Sequence, residues 1–285
     1  VRVALISNHR SGSGTEAGAL ERGLAKHGAQ VQTFALEDAG RLVQEGGGRF
    51  ERLVVAGGDG SLGPAASAAV TLGVPFAVVP TGTANDFARA LNLPLDRDGA
   101  LALAAGATRG RLEQIDLARV GDRPWVNAAS GGLSVLAAHE ARELKPSLGA
   151  LAYAIGAARA AMTGRPLHTR VRADGEEVFA GEAWQVIVGA TGAFGGGSRI
   201  GGIDHGDGCL DVAIVPAGSR TGLVRRAVGM RLGRLSAQHD VIDLRARRVE
   251  VDVPEKMRFN VDGEVCTCVP AIFEIDSAAA VVVPA

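Results

Sequence analysis

Three short loops hold the residues best suited to chemistry. Val54-Val55-Ala56-Gly57-Gly58-Asp59-Gly60-Ser61 runs from an apolar strand, through three glycines, an acid and a hydroxyl, into a helical stretch. Glycines at the carboxyl end of such a strand let backbone N–H groups approach a phosphate, and the helix N-terminus that follows favours its charge. Asp59 suits a ribose hydroxyl, a water or a metal better than a phosphate. A second loop, Pro80-Thr81-Gly82-Thr83-Ala84-Asn85-Asp86-Phe87, follows the next strand, and a third, Asn8-His9-Arg10-Ser11-Gly12-Ser13-Gly14, follows the first strand. Any one of them also reads as an ordinary βα turn. None is a Walker loop or a G-x-G-x-x-G fingerprint. Three at one sheet edge favour a nucleotide site over three unrelated turns.

The elements that must place these loops are legible in the hydrophobic rhythm. Short buried runs at 3–6, 31–34, 53–56 and 76–79 alternate with helical stretches to about residue 110. That pattern predicts an α/β domain with a mostly parallel sheet. Ser13 to Glu16 has the form of a helix capping box, and Gly28 ends that helix. After Arg111 the runs become mainly β: 112–120, 125–129, a hairpin turning at Asp174-Gly175, then 185–190, 210–215, 249–253, 257–265 and 272–275. Helical insertions are expected at 134–162 and 221–235. The second half is therefore expected to be a β sandwich or flattened barrel over 120–275. Residues 1–119 form the α/β domain, to which the apolar run 280–283 within 276–285 returns as an added strand.

Composition narrows the function. The chain has 285 residues, 47% hydrophobic and 21% charged, with a net charge of −1 and 4% aromatic residues. Such a chain buries a sizeable core, and it lacks both the basic excess and the stacking platform of a nucleic-acid binder. Three cysteines, two of them spaced Cys266-Thr267-Cys268, fit neither a disulfide framework nor a zinc knuckle. A cytoplasmic protein with no leader and no membrane span is expected.

Gly57-Gly58-Asp59-Gly60-Ser61 followed by Pro80-Thr81-Gly82-Thr83-Ala84-Asn85-Asp86-Phe87-Ala88-Arg89 resembles the diacylglycerol kinase catalytic-domain family, which includes the bacterial soluble lipid kinases and the sphingosine and ceramide kinases. The likeness continues through Gly195-Gly196-Gly197 and Asp207-Gly208 to Asn260-Val261-Asp262-Gly263-Glu264, so it covers nearly the whole chain. It implies an N-terminal domain like that of NAD kinases and phosphofructokinases, a C-terminal β sandwich, and ATP in the cleft between them. Asn8, Ser11, Gly12, Gly57, Gly58, Asp59, Gly60, Ser61, Thr83 and Asp86 match its nucleotide-lining positions. Glu264 matches its general base, with Asp262 beside it. Asp207, with carbonyls of Asp204 and Cys209, matches the place of a structural Mg²⁺, although an Asp-Gly turn reads equally well there.

The implied reaction is transfer of the γ-phosphoryl group of ATP, with Mg²⁺, to a lipid alcohol such as diacylglycerol. It implies a cytoplasmic enzyme that meets the membrane surface transiently; a homodimer is compatible with the family. An NAD kinase-like enzyme and a catalytically weak nucleotide- or lipid-binding regulator are the alternatives. The second is motivated by Gly63-Pro64, where the family usually has Asn-Glu. The chain also carries a second Asp-Gly-Glu, Asp174-Gly175-Glu176, in a polar hairpin expected to be structural. A basic stretch, Arg220 to Arg234, reads as a solvated helix face or as a membrane-surface helix.

Overall fold

A computed structural model describes all residues except 8–13, 149–150, 196–197, 201–204, 221, 224–240, 253–257 and 269. The first part alternates strands and helices: β1 (Arg2–Ser7), α1 (Gly14–Lys26), β2 (Gln30–Ala35), α2 (Ala39–Glu45), β3 (Arg52–Gly57), α3 (Leu62–Leu72), β4 (Phe76–Pro80), α4 (Asp86–Ala90) and α5 (Arg97–Ala105). Strands β2, β1, β3 and β4 lie side by side and parallel. Val3 to Ile6 and Leu53 to Val55 are fully buried, as expected of central strands covered on both faces. The helices stop where the chain chemistry stops them. Gly73 and Gly106 take left-handed conformations and return their N–H groups to the last turns of α3 and α5. Asp96 opens α5 by accepting from the Gly99 N–H at 2.7 Å. Ser13 of the expected capping box lies outside the described residues.

The remainder is mainly β: β5 (Gly110–Val120), β6 (Arg123–Trp125), β7 (Ala128–Gly132), then helices α6 (Leu133–Leu148) and α7 (Leu151–Thr163). Then follow β8 (Leu167–Ala173), β9 (Glu176–Gly189), β10 (Ala193–Phe194), β11 (Ser198–Arg199), β12 (Leu210–Pro216), β13 (Ile242–Ala246), β14 (Arg248–Asp252), β15 (Arg258–Val261), β16 (Glu264–Thr267) and β17 (Ala271–Pro284). The expected strand over 125–129 is two strands, broken at Val126-Asn127. The expected helix over 221–235 falls almost entirely outside the described residues.

Strand β17 joins the two halves. Its start pairs with β14, Phe273 to Pro284 run antiparallel to β5 with a register shift at Ile275 to Ser277, and Val281 meets Phe76 of β4 in parallel. Two main apolar cores result. One packs β1, β3, β4 and the helices around them with Ala279 to Val283; the other gathers Trp125, Phe259 and Phe273 among the later strands. In the second core Phe259 and Phe273 meet edge to face with ring centroids 5.0 Å apart.

The glycine of Gly63-Pro64 has a packing reason. Helix α3 lies so close to β6 that a Cβ on Gly63 would fall 2.3 Å from the Pro124 carbonyl oxygen and 2.8 Å from the Trp125 Cα. Both neighbours are backbone and cannot rotate away. Gly63→Ala is therefore expected to destabilise the fold by about 1–3 kcal/mol, the usual cost of forced overpacking. A chemical-denaturation midpoint equal to the parent's would show that the two halves slide apart freely here.

Candidate functional site

The loops after β3 and β4 touch through their backbones. A Cβ on Gly82 would lie 2.6 Å from the Gly58 Cα, so only glycine allows this approach. Asn85 closes the second loop on itself: its Oδ1 accepts from the Gly82 N–H and its Nδ2 donates to the Gly82 carbonyl, both at 3.0 Å. It does so in a left-handed conformation, φ +50°, which asparagine tolerates better than most residues. Between the loops lies a narrow crevice with no enclosed room for a water molecule, lined by Gly57, Gly58, Asp59, Pro80 and Asn85 among others.

Asp59 ties the whole arrangement together. Its carboxylate accepts from the Asp86 N–H at 3.2 Å and the Phe87 N–H at 3.1 Å, the first free donors of α4. It also accepts from Asn127 Nδ2 at 2.9 Å, across to the β-rich half. Asn127 sits in the break between β6 and β7, and its Oδ1 accepts from Thr191 Oγ1 at 3.0 Å. Asn127 thus links the glycine loop to two segments of the second half, and both it and Thr191 are 2% exposed. Ser61 and Asp86 are buried, whereas Thr83 is exposed on the second loop.

The turn between β15 and β16 supplies the acids. Asp262 and Gly263 both have positive φ, +48° and +87°, the conformation of a type I′ hairpin turn. The Asp262 carboxylate is buried. Its Oδ2 accepts from the Val126 N–H at 2.9 Å, and its Oδ1 from the Asn127 and Ala128 N–H groups at 2.9 and 3.1 Å. Burial pushes Asp262 up to about 7, with Asp59 adding to the rise and the three amide bonds opposing it. This buried carboxylate therefore anchors the segment that carries Asn127.

Glu264, two residues on, is exposed. Arg123 Nη2 donates to its Oε2 at 2.8 Å, and a Cβ on Gly60 would lie 3.1 Å from its Oε1. The acid of the β-rich half thus lies against the glycine loop of the α/β half, with one oxygen held by a guanidinium. The other Asp-Gly-Glu repeats the turn without the site. Asp174 and Gly175 also have positive φ, and Asp174 accepts from the Arg247 and Arg248 N–H groups at 3.0 and 2.9 Å. Glu176 is exposed at the start of β9.

The structure thus brings Gly57, Gly58, Asp59, Gly60, Ser61, Thr83, Asp86, Asp262 and Glu264 to one edge. Asn8, Ser11, Gly12 and Asp204 lie outside the described residues. Asp207 is elsewhere. Its Oδ1 accepts from the Cys209 N–H at 2.9 Å, and its Oδ2 contacts the Arg245 guanidinium, which also pairs with Asp211 at 3.3 Å. Burial, with Asp243 nearby, pushes Asp211 up to about 6. No group of three or more His, Cys, Asp or Glu side chains forms a metal cage among the described residues. Sequence reasoning missed Asn127, Thr191, Arg123 and the role of Asn85. Only Asn85 left a signal, its place just before a helix in a glycine loop.

Comparison with known proteins places this geometry. Residues 2–120 match the diacylglycerol kinase catalytic domain, and residues 127–284 match the YegS C-terminal NAD kinase beta sandwich-like domain. A diacylglycerol kinase of Bacillus subtilis (strain 168) is 32% identical over 229 residues, covering 79% of this chain and 74% of that protein. One from Staphylococcus epidermidis is 28% identical over 258 residues, covering 88% and 80%. The crystal structure of a diacylglycerol kinase from Bacillus anthracis superimposes with a TM-score of 0.76 over 99% of this chain and 96% of that one, at 22% identity, so the fold is shared. With both halves of the chain matched and the glycine loops and the late acid facing one another, this chain belongs to the bacterial diacylglycerol kinase and YegS-like family of lipid kinases.

Proposed function

We propose that this lipid kinase transfers the γ-phosphoryl group of ATP to a hydroxyl of diacylglycerol or a related lipid alcohol, with Glu264 as the general base. The observation that carries this reading is the placement of the Glu264 Oε1 against Gly60, where an acid of one half meets the phosphate-type loop of the other. The Asp59–Asn127 bond keeps the two halves at that spacing. The acceptor oxygen attacks the γ-phosphorus, its proton passes to Glu264, and ADP leaves. Phosphoryl transfer asks a protein mainly for positioning and charge, and a single base in reach of the hydroxyl completes the set. We assign the nucleotide to residues 1–119 with 276–285 and the acceptor to residues 120–275, because the packed cores change over near those boundaries.

Mg²⁺ enters this reading with ATP, where it offsets phosphate charge. A second, protein-held Mg²⁺ at Asp207 fits the donor chemistry, since one carboxylate with neighbouring carbonyls is the oxygen set a hard cation takes. In this structure Arg245 holds the Asp207 oxygen that such a cation would use. Asp207→Ala is expected to raise the Mg²⁺ concentration that protects the protein from thermal unfolding, and Arg245→Ala to lower it. Identical Mg²⁺ titrations of all three proteins would reduce this loop to a turn.

No described helix is long and apolar enough to cross a membrane. We infer that the acceptor is met at the bilayer surface. Arg220, at the head of the basic stretch, is already engaged: it donates to the Ala161 and Gly164 carbonyls and stacks 5.4 Å from the Trp184 ring centroid. Incubation with radiolabelled ATP, a panel of lipid alcohols in mixed micelles, and NAD tests the reading. Label is expected in a lipid. Label in NAD alone, or nucleotide binding with no transfer to any acceptor, would overturn it.

A further inference from the structure

Two thiols lie beside the candidate base. Cys266 is on β16, opposite Phe259 in the β15–β16 hairpin, and Cys268 follows just after the strand. Residues two apart in a strand share a face. Their sulfurs are 3.3 Å apart, within hydrogen-bonding reach of each other, and both residues are half-buried. The same Arg123 guanidinium that holds Glu264 lies near enough to Cys266 for its charge to favour the thiolate. The sulfur contact with Cys268, helped by the Arg123 guanidinium, holds Cys266 down to about 7, while Cys268 itself is pushed up. A thiolate beside a cation with a neutral thiol in contact is the arrangement of an attacking and a resolving cysteine.

We propose that Cys266 and Cys268 form a hydroperoxide-sensitive oxidation site that closes to an intramolecular disulfide and lowers turnover through Arg123 and Glu264. The Cys266 thiolate attacks one peroxide oxygen, the O–O bond breaks, and the leaving hydroxide takes up a proton as water. The resulting sulfenic acid is attacked by the Cys268 sulfur, the S–O bond breaks, and a second water leaves with the Cys268 proton. Two thiols lose two electrons and the peroxide gains them. Closing the bridge draws the sulfurs from 3.3 Å to about 2.0 Å. A bridge across so short a loop is strained, and strained or exposed disulfides are the readily reduced ones. Oxidation consumes the thiolate facing Arg123, so Glu264 becomes the sole partner of that guanidinium from this pair of acids, and the end of β16 is pulled toward Cys268. The effect on turnover rests on the kinase reading above; the thiol chemistry does not.

The test uses the full chain with hydrogen peroxide, followed by N-ethylmaleimide, proteolysis and mass spectrometry. The peptide holding Cys266 and Cys268 is expected to lose about 2 Da and take no label, while Cys209 is labelled. Dithiothreitol is expected to restore labelling. In Cys268→Ser the reaction is expected to stop at a Cys266 sulfenic acid that dimedone traps. Labelling of Cys266 and Cys268 as complete as that of Cys209 after peroxide would overturn the site. So would oxidation past the sulfenic acid with no bridge. Turnover of the parent is expected to fall on bridging and to recover with dithiothreitol. A double Cys266→Ser, Cys268→Ser variant is expected to keep, after peroxide, whatever turnover it had before. Unchanged turnover in the bridged parent, or equal loss in the double variant, would overturn the coupling to Glu264. Absence of turnover in the fully reduced parent would instead strike the kinase reading, and the mass measurement would still decide the oxidation site.

Discussion

Glu264→Gln is expected to lower turnover by about 10²–10⁴-fold, the usual cost of removing a general base. The amide keeps the shape of the side chain and can still accept from Arg123 through its oxygen, so the hairpin should be undisturbed. ATP affinity is expected to stay near that of the parent, because the loss falls on the chemical step. Glu176→Gln supplies the matched control. It changes the same residue in the same Asp-Gly-Glu sequence, on the same kind of turn, but at an exposed position with no contact to the Gly60 position that Glu264 faces. Its turnover should stay at the parental level, with stability shifted by no more than about 0.5 kcal/mol. Equal losses in both variants would point to stability rather than catalysis. A loss confined to Glu176→Gln would place the acceptor in another part of the molecule. Steady-state rates with a saturating lipid acceptor, together with nucleotide binding measured separately, decide between these outcomes.

The glycine loops and the strand rhythm that places them were readable because both are local. A buried strand, a glycine turn and a helix start are each set by neighbours in sequence, and two such units in succession fix a common sheet edge. The last strand was legible for a related reason: an isolated apolar run at the end of a β-rich region has to pair somewhere. What could not be read was what each acid does. Asp59 looked like a free loop acid, yet its oxygens are taken by the α4 amides and by Asn127, a residue 68 positions away. Asn127 and Thr191 carried no signal, because a buried hydrogen bond between β-rich segments leaves no period or motif. The paired Asp-Gly-Glu turns show the limit most clearly. In both copies the aspartate accepts backbone amides from a neighbouring segment. The sequence motif encodes that turn. The site is made only where the glutamate that follows faces Gly60.

Asp262→Asn is expected to cost stability before it costs chemistry. The three N–H groups of Val126, Asn127 and Ala128 all point at the Asp262 carboxylate, and all are buried. An asparagine oxygen can serve two of them, but its NH₂ group must then face the third donor. One unsatisfied buried donor facing another costs about 1–3 kcal/mol. The pH dependence carries the diagnostic sign. Asp262 in the folded protein is raised from 3.8 to about 7, so the folded state holds this proton more tightly than the unfolded state. Its contribution to stability is fully present below about pH 4 and is lost as pH rises through about 7. Asn cannot titrate, so the variant should lack that decline between pH 4 and 7 while starting from lower stability at the acid end. Urea denaturation of parent and variant across this range measures both effects. The Asn127 side chain should loosen with its backbone, weakening the bond to Asp59 that holds the two halves together. Nucleotide affinity is therefore expected to fall together with stability in Asp262→Asn, whereas Glu264→Gln spares both. Parallel pH–stability curves for parent and variant would remove Asp262 as the anchor and return its carboxylate to the list of groups that meet the substrate.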